Sequence, residues 1–399
     1  MPHMALDLSQ LIRQIDALCE NASKRQADQA ARLPLAKATL AAIAADPEAT
    51  RQRAADVAHR FRWAGAIPTD EPINAVYPLP AHPARASIVA ADGSQIHPDR
   101  HGLALYYLIN IGSIVFRHGA DEAPACSLSA EVFFEDEDLY ENESLISGEK
   151  INAERDAREL GELARLGASE SGAAPTVTLL DNGLLLFFSL QEQDRKAKDK
   201  AVANYLARMD QLKASGAALA GVVDRPRAAN IIRLLHLATL DEREVDQDHL
   251  RGTGRFQHMV DTALFGALQP GERSALFVNA APDNLEYYKP RGHTVCFFYL
   301  NAGRPGKDSL LRIEVPEWVA QDRARLDLVH AAIVEQCRFT DGFPYVLMRA
   351  HELAVVTMDE RRAFDELVMG ALVWRGFTPG VSQKQQGKEW TGSGKRRFP

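Results

Sequence analysis

Two apolar runs, "SIVAADGSQI" from Ser87 and "TVTLLDNGLLLF" from Thr176, each climb to an aspartate closely followed by glycine: Asp92 and Asp181. Short apolar stretches of this kind, bounded by turn residues, read as buried strands. Strands covered on both faces need helices above and below, which points to the α/β class. An unpaired carboxylate at the end of such a strand costs several kcal/mol. Either each aspartate serves a turn, or something positive sits against it. Both readings stay open at the level of these two runs.

The flanking sequence supports the class. From about Leu6 to Trp63, Leu8, Leu11, Ile12, Ile15 and Leu18 recur at helical spacing and alanine is abundant, so helices are expected. "IPTDEPINAVYPLPAHPAR" then carries five prolines in nineteen residues and reads as an extended boundary segment. After it, "GLALYYLINIGSIVFRHG" is one long bent strand or a hairpin. The acidic "FFEDEDLYENESLISGEK" is expected to be a solvated loop, and "INAERDARELGELARLG" a helix. A charged helix from about Gln191 to Ala214, the strand "LAGVVDRP" and the helix "AANIIRLLHLA" continue the pattern. The first three strands would form an antiparallel meander and the later ones parallel additions. Residues 252–316 read as β-rich, and the last helices are "DLVHAAIVEQC", "YVLMRAHELAVV" and "RAFDELVMGALVWRG".

Composition narrows the function. Hydrophobic content of 46% and charged content of 25% describe an ordinary globular chain, with no apolar run of membrane-spanning length and no secretory pattern, so a cytoplasmic location is expected. Cys19, Cys126, Cys296 and Cys337 are scattered, which argues against a zinc site or a disulfide framework. A net charge of −8 argues against coating nucleic acid by bulk attraction, though not against an enzyme that acts on it through local positive charge.

If the two aspartate-bearing strands are neighbours, their carboxylates emerge at one edge of the sheet, and the acidic helix between them in sequence can add a third. Three converging carboxylates need a counter-charge. Magnesium or manganese suits oxygen ligands, and two such ions suit in-line displacement at phosphate.

The segments "IVAADGSQIHPDRH", "TVTLLDNGLLLF", "LAGVVDRPRAANIIRLL", "LQPGERSALF", "LLRIEVPEWV" and "GFPYVLMRAHELA" occur in an order that resembles the NurA family of nucleases, from about Ala86 to the C-terminus. The resemblance implies an RNase H-like mixed sheet flanked by helices, with an N-terminal helical region over 1–70, a nuclease domain over 76–375 containing a β-rich insertion, and a basic flexible tail over 376–399. It implies a manganese- or magnesium-dependent deoxyribonuclease with two ions per site. Such an enzyme degrades DNA from its ends (5′–3′ exonuclease, with single-strand endonuclease action as an addition) in DNA end processing and repair. It also implies a homodimer working with a HerA-type hexameric DNA-translocating ATPase. Other readings are a non-catalytic adaptor of that ATPase and a metal-dependent phosphoesterase for small molecules.

The resemblance places catalytic and metal-binding roles on Asp92, Glu159, Asp181 and His351. The family's D-G-S-L reads D-N-G-L here, and a Tyr-Pro-Tyr common in relatives reads Phe343-Pro344-Tyr345. Arg225 and Arg227 of "DRPR", Arg273 with Ser274, and Tyr345 are candidate DNA or phosphate contacts. His97 and Asp99 are either supports for Asp92 or loop residues. Lys384, Lys388, Lys395, Arg396 and Arg397 form a basic strip in the tail.

Helical geometry weighs the acids of the 151–167 helix. At about 100° per residue, Ala153, Ala157, Leu160, Leu163 and Ala164 form an apolar stripe. Asp156 falls inside it and Glu159 on its flank, while Glu154 and Glu162 lie toward solvent as spectators. Glu159, at the border of core and solvent, is the expected ligand, with Asp156 its rival.

Overall fold

The computed structural model describes residues 8–100, 104–141, 143–186 and 195–377. In chain order its main elements are α1 (Leu8–Ala44), α2 (Pro47–Arg60), β1 (Ala66–Pro68), β2 (Val76–Tyr77), β3 (Ala86–Ile96), β4 (Tyr107–His118), β5 (Ala125–Phe133), α3 (Gly148–Glu170), β6 (Thr176–Asp181), α4 (Arg195–Ser215), β7 (Ala218–Val223) and α5 (Asn230–Ala238). There follow β8 (Arg273–Ser274), β9 (Phe277–Asn279), β10 (Val295–Asn301), β11 (Leu310–Pro316), α6 (Arg323–Cys337), α7 (Tyr345–Ala354) and α8 (Met358–Trp374). The fold is mixed α/β, as expected. Of the basic tail, all but its first two residues lie outside the described ones.

The chain divides into two compact units. The first takes the segment up to His82, Asn182–Leu185 and Leu219–Pro344. In it β1, β9, β10, β11 and β7 pair antiparallel in that order, and β8 pairs with β10 and β2. Asp46 caps α2 by accepting the Ala49 N–H, and Pro47 opens the helix where no donor is needed. The helices bury Ala36, Val57 and Ile231 with Trp63, Phe277 and Phe297 in one apolar core. The stripe that begins α1 is different: Leu8, Ile12, Ile15 and Leu18 are exposed.

The second unit takes Pro83–Asp181, Leu186–Ala218 and the chain from Tyr345. Strands β3, β4 and β5 form an antiparallel meander, α3 follows, and β6 returns parallel to β3. This is the mixed order, an antiparallel meander with a parallel addition, expected from the sequence pattern. Ser147 caps α3 by accepting the Lys150 N–H, and the helix buries Ile151, Ala157, Leu160 and Leu163.

Two local expectations are corrected and one open alternative is decided. No turn follows Asp92: β3 continues to Ile96, and Asp92 lies opposite Gly112 within the ladder. The apolar segment before Gly119 is one strand, not a hairpin, and the third strand of the meander is Ala125–Phe133. Most of β5 is exposed, although its "CSLSAEV" alternates apolar and polar residues as a strand does. The acidic segment holds a short helix, Asp136–Leu139, and a small pairing of Tyr140–Glu141 with Ser144–Leu145.

Candidate active site

The second unit brings four of the predicted residues to one region of strand β3. The parallel register pairs Ala91 with Leu180, so one residue further on Asp181 stands beside Asp92. Neighbouring strands lie about 4.8 Å apart and residues in register share a face, so the two carboxylates project together. For Asp181 the end of the strand is also a turn, because Asn182 takes a positive φ of 116°.

Helix α7 covers the face onto which Asp92 projects. Ser94 Oγ and Asn110 Nδ2 both donate to the carbonyl of Ala354, tying the helix end to β3 and β4. The helix comes this close because residue 112 is glycine: a Cβ there would lie 2.6 Å from the backbone nitrogen of Ala354. The approach sets His351 Nδ1 2.7 Å from Asp92 Oδ2. An ionised carboxylate only accepts, so Nδ1 carries a proton, and in the neutral tautomer the lone pair lies on Nε2. Asp92 Oδ1 accepts the Gly93 N–H at 2.8 Å, which fixes the other end of the carboxylate. Asp92 is mostly covered, with 17% of its side chain exposed, whereas the imidazole is 63% exposed.

Helix α3 lies against the opposite face. Successive strand residues alternate faces, so Gly93 and Gln95 meet α3 where Asp92 and Ser94 meet α7. Gln95 bonds to Asn152 and to Arg155. At Gly93 a Cβ would lie 2.6 Å from Arg155 Cγ and 2.7 Å from Glu159 Oε1. The missing side chain leaves the space through which this carboxylate reaches the strand beside Asp92. Burial raises the Glu159 carboxyl well above the usual range, with the neighbouring Asp156 and Asp92 charges adding to the rise and Arg155 opposing it. Burial likewise raises Asp156, against the pull of Arg155. The Arg155 guanidinium stands among them, 2.6 Å from Asp156 and 3.1 Å from Glu159.

The rotation of α3 corrects the helical-wheel placement. Glu159 is the buried acid, and Asp156 lies at the border with 23% of its side chain exposed. Glu162 does not face solvent: it accepts from Ser113 at 2.9 Å and pairs with Arg165, which chiefly holds its carboxyl below the usual range. Glu154 pairs with Arg158 at the surface.

The candidate DNA contacts divide. Arg273 is fully buried, in a two-pronged pair with Glu71 at 2.6 and 2.9 Å and 4.0 Å from the centre of the Tyr77 ring, so it is a structural cation and not a DNA contact. Ser274 is buried too, donating to the Ala275 carbonyl. Arg225 and Arg227 are exposed residues of the first unit, Arg225 in left-handed backbone at φ 44°. Tyr345 opens α7 and is half-buried. His97 lies 3.5 Å from Gln95.

Sequence reasoning missed two contributors, Arg155 and Gly112. Arg155 stands one helical turn before Glu159, an i,i+4 pairing visible in "RDAREL". Gly112 lies in the middle of the apolar run "GLALYYLINIGSIVFRHG".

The donors suit a hard divalent cation. Glu159 Oε1 is buried and accepts no hydrogen bond, a condition that costs a polar atom about 1–3 kcal/mol until a partner arrives. Asp92 and Asp181 add charge at the same level of the sheet. Among the described residues, however, no three His, Cys, Asp or Glu groups are gathered closely enough to grip an ion as they stand. Glu159 and Asp92 approach β3 from opposite faces, and Arg155 engages the former.

A mixed α/β unit with neighbouring carboxylates on adjacent strands, a histidine locked to one of them and a buried glutamate behind it defines a carboxylate-centred α/β protein. The NurA domain matches residues 86–356, and the chain belongs to that family. The NurA nuclease from Sulfolobus solfataricus has a similar fold at 13% identity and a TM-score of 0.50, over 92% of this chain and 100% of that one. The catalytic domain of human Endonuclease V aligns at 15% identity over 71% of this chain and 83% of its own, with a TM-score of 0.31. A type 1 RNase H, LC9-RNase H1, aligns at 16% identity over 40% and 72%, with a TM-score of 0.20. No curated protein matches the chain in sequence.

Proposed function

We propose that this chain is a divalent-metal-dependent DNA nuclease whose centre is Asp92, Asp181, Glu159 and His351. The observation that carries the reading is the Asp92–His351 pair beside Asp181, because it ties Nδ1 to a carboxylate and leaves Nε2 for the reaction. Asp92, Asp181 and Glu159 would hold the metal, manganese or magnesium. A metal bound there supplies an activated water and a counter-charge to the phosphate.

The chain's own residues do the rest. Asp92 holds the imidazole in the tautomer whose Nε2 can accept a proton from the attacking water. The exposure of the ring lets that water and a phosphodiester reach it. Gly93 admits Glu159 to the strand, and Gly112 admits the helix that carries His351. Two ions, cleavage from DNA ends in the 5′–3′ direction, homodimer formation, partnership with a HerA-type hexameric ATPase and a role in DNA end processing are further parts of the proposal, supported by family membership. Among the described residues no helix is long and apolar enough to cross a membrane.

The test is incubation of purified protein with end-labelled linear duplex and with single strand, with manganese or with a chelator. Metal-dependent shortening that vanishes in folded Asp92→Ala is expected. Full cleavage by Asp92→Ala would refute the assignment.

A further inference from the structure

Arg155 is more than a surface partner of α3. Its guanidinium touches Asp156 through Nε and Nη2 at 3.2 and 2.6 Å, approaches Glu159 through Nε at 3.1 Å, and donates through Nη1 to Gln95 Oε1 at 3.1 Å. Its side chain is 24% exposed and Glu159's 7%. The stem crosses directly over Gly93. Two acids in a mostly covered space therefore share one cation of the protein's own. Yet the geometry is incomplete on one side, since Glu159 Oε1 receives no hydrogen bond. An arginine placed only to stabilise such a carboxylate would satisfy it in a fork. This one gives its aligned donors to Asp156 and Gln95 and lends Glu159 charge alone.

We infer that Arg155 is a built-in counter-cation that neutralises Glu159 and Asp156 while no metal is bound, and that must withdraw from Glu159 before that carboxylate can serve as a ligand. The inference rests on the metal-dependent nuclease reading and adds a regulator to it. Asp156 and Gln95 are the holding points that keep the guanidinium in place as Glu159 is released. The contact with Glu159 is made by charge without an aligned hydrogen bond, so it is the easiest of the three to give up. Arg155 thereby lowers metal affinity and makes occupancy depend on ion concentration.

The experiment measures manganese binding to metal-stripped protein without DNA, by calorimetry and by the paramagnetic resonance signal of free ion. Removing a unit charge at this range is expected to tighten binding by about tenfold or more in Arg155→Gln. Arg155→Met, which keeps the apolar stem over Gly93, is expected to do the same, and circular dichroism checks that each is folded. Arg155→Lys retains the charge and is expected to keep the wild-type affinity. With Glu159→Gln in the background, Arg155→Gln is expected to bring no tightening, because the ligand it guards is gone. Unchanged or weaker binding in both neutral variants overturns the inference, and so does equal tightening without Glu159. A protein that follows the expected binding pattern but cleaves no DNA keeps the inference and refutes the nuclease reading. One that cleaves DNA with unchanged manganese affinity in Arg155→Gln does the reverse.

Discussion

Replacing Gly112 by alanine tests how the site is held together, since the residue touches no reacting group. The added methyl would lie 2.6 Å from the Ala354 backbone nitrogen, 2.7 Å from Leu353 Cβ and 2.8 Å from the Leu353 carbonyl carbon. These are mainly backbone atoms of one helix, and none can swing aside. Reaching ordinary contact at 3.4 Å requires α7 to lift by about 0.8 Å. The Asp92–His351 hydrogen bond, 2.7 Å long, would then stretch beyond the range of a good N–H···O bond. Overpacking of this kind costs about 1–3 kcal/mol, which a domain survives. A misplacement of about 1 Å in a catalytic group costs on the order of a hundredfold in rate. Gly112→Ala is therefore expected to stay folded and lose about a hundredfold in manganese-dependent cleavage of labelled duplex. Gly172→Ala is the control, because no atom lies within 4 Å of a Cβ there. Activity of Gly112→Ala within about threefold of wild type, with Gly172→Ala equally unaffected, would refute the claim that this close approach positions His351.

Asp181→Ala and Glu159→Gln are each expected to lose at least about a hundredfold in cleavage, while Glu154→Gln stays active; a fully active Glu159→Gln would remove the buried acid from the site. Arg273→Ala leaves Glu71 with Arg323, 3.6 Å away, and the Leu276 N–H, and is expected to destabilise by about 1–3 kcal/mol in denaturant titration, with the salt dependence of DNA binding unaltered in the folded fraction. A changed salt slope with unchanged stability would restore Arg273 as a DNA contact. His330, whose Nε2 lies 2.8 Å from the Gly271 carbonyl, is pushed from 6.5 down to about 4, chiefly by burial. With the folded-state value depressed, the unfolded chain binds the extra proton first, so stability is full above about 6.5 and falls as pH drops toward about 4. The loss over that window is expected to approach about 3 kcal/mol, and His330→Gln is expected to flatten it.

Most of the second unit's order was legible in sequence, because buried strands and amphipathic helices write their burial into their periodicity. The runs ending at Asp92 and Asp181, the helix after Ser147 and the helix of His351 all lie where the pattern placed them. Strand β5 was less legible although "CSLSAEV" alternates, because an exposed edge strand carries few large apolar residues to mark it. The turn expected at Asp92 failed because glycine and serine are local turn formers, and eleven paired positions of the β3–β4 ladder outweigh that preference.

The residue types of the site were set by sequence alone: carboxylates on apolar strands, an acidic helix, a lone histidine. Which of them meet was decided by tertiary packing. A wheel of about 100° per residue places Asp156 inward and Glu159 on the flank, but the helix settles against β3 where Gly93 leaves room for a carboxylate, and that turns Glu159 inward. Arg273 looked like any basic residue beside a serine until Glu71, two hundred and two positions away, enclosed it. Periodicity reports how buried a residue is on its own element. Partner choice depends on elements approaching within contact distance, and here the missing side chain at Gly112 admits a helix backbone and the one at Gly93 admits the Arg155 and Glu159 side chains.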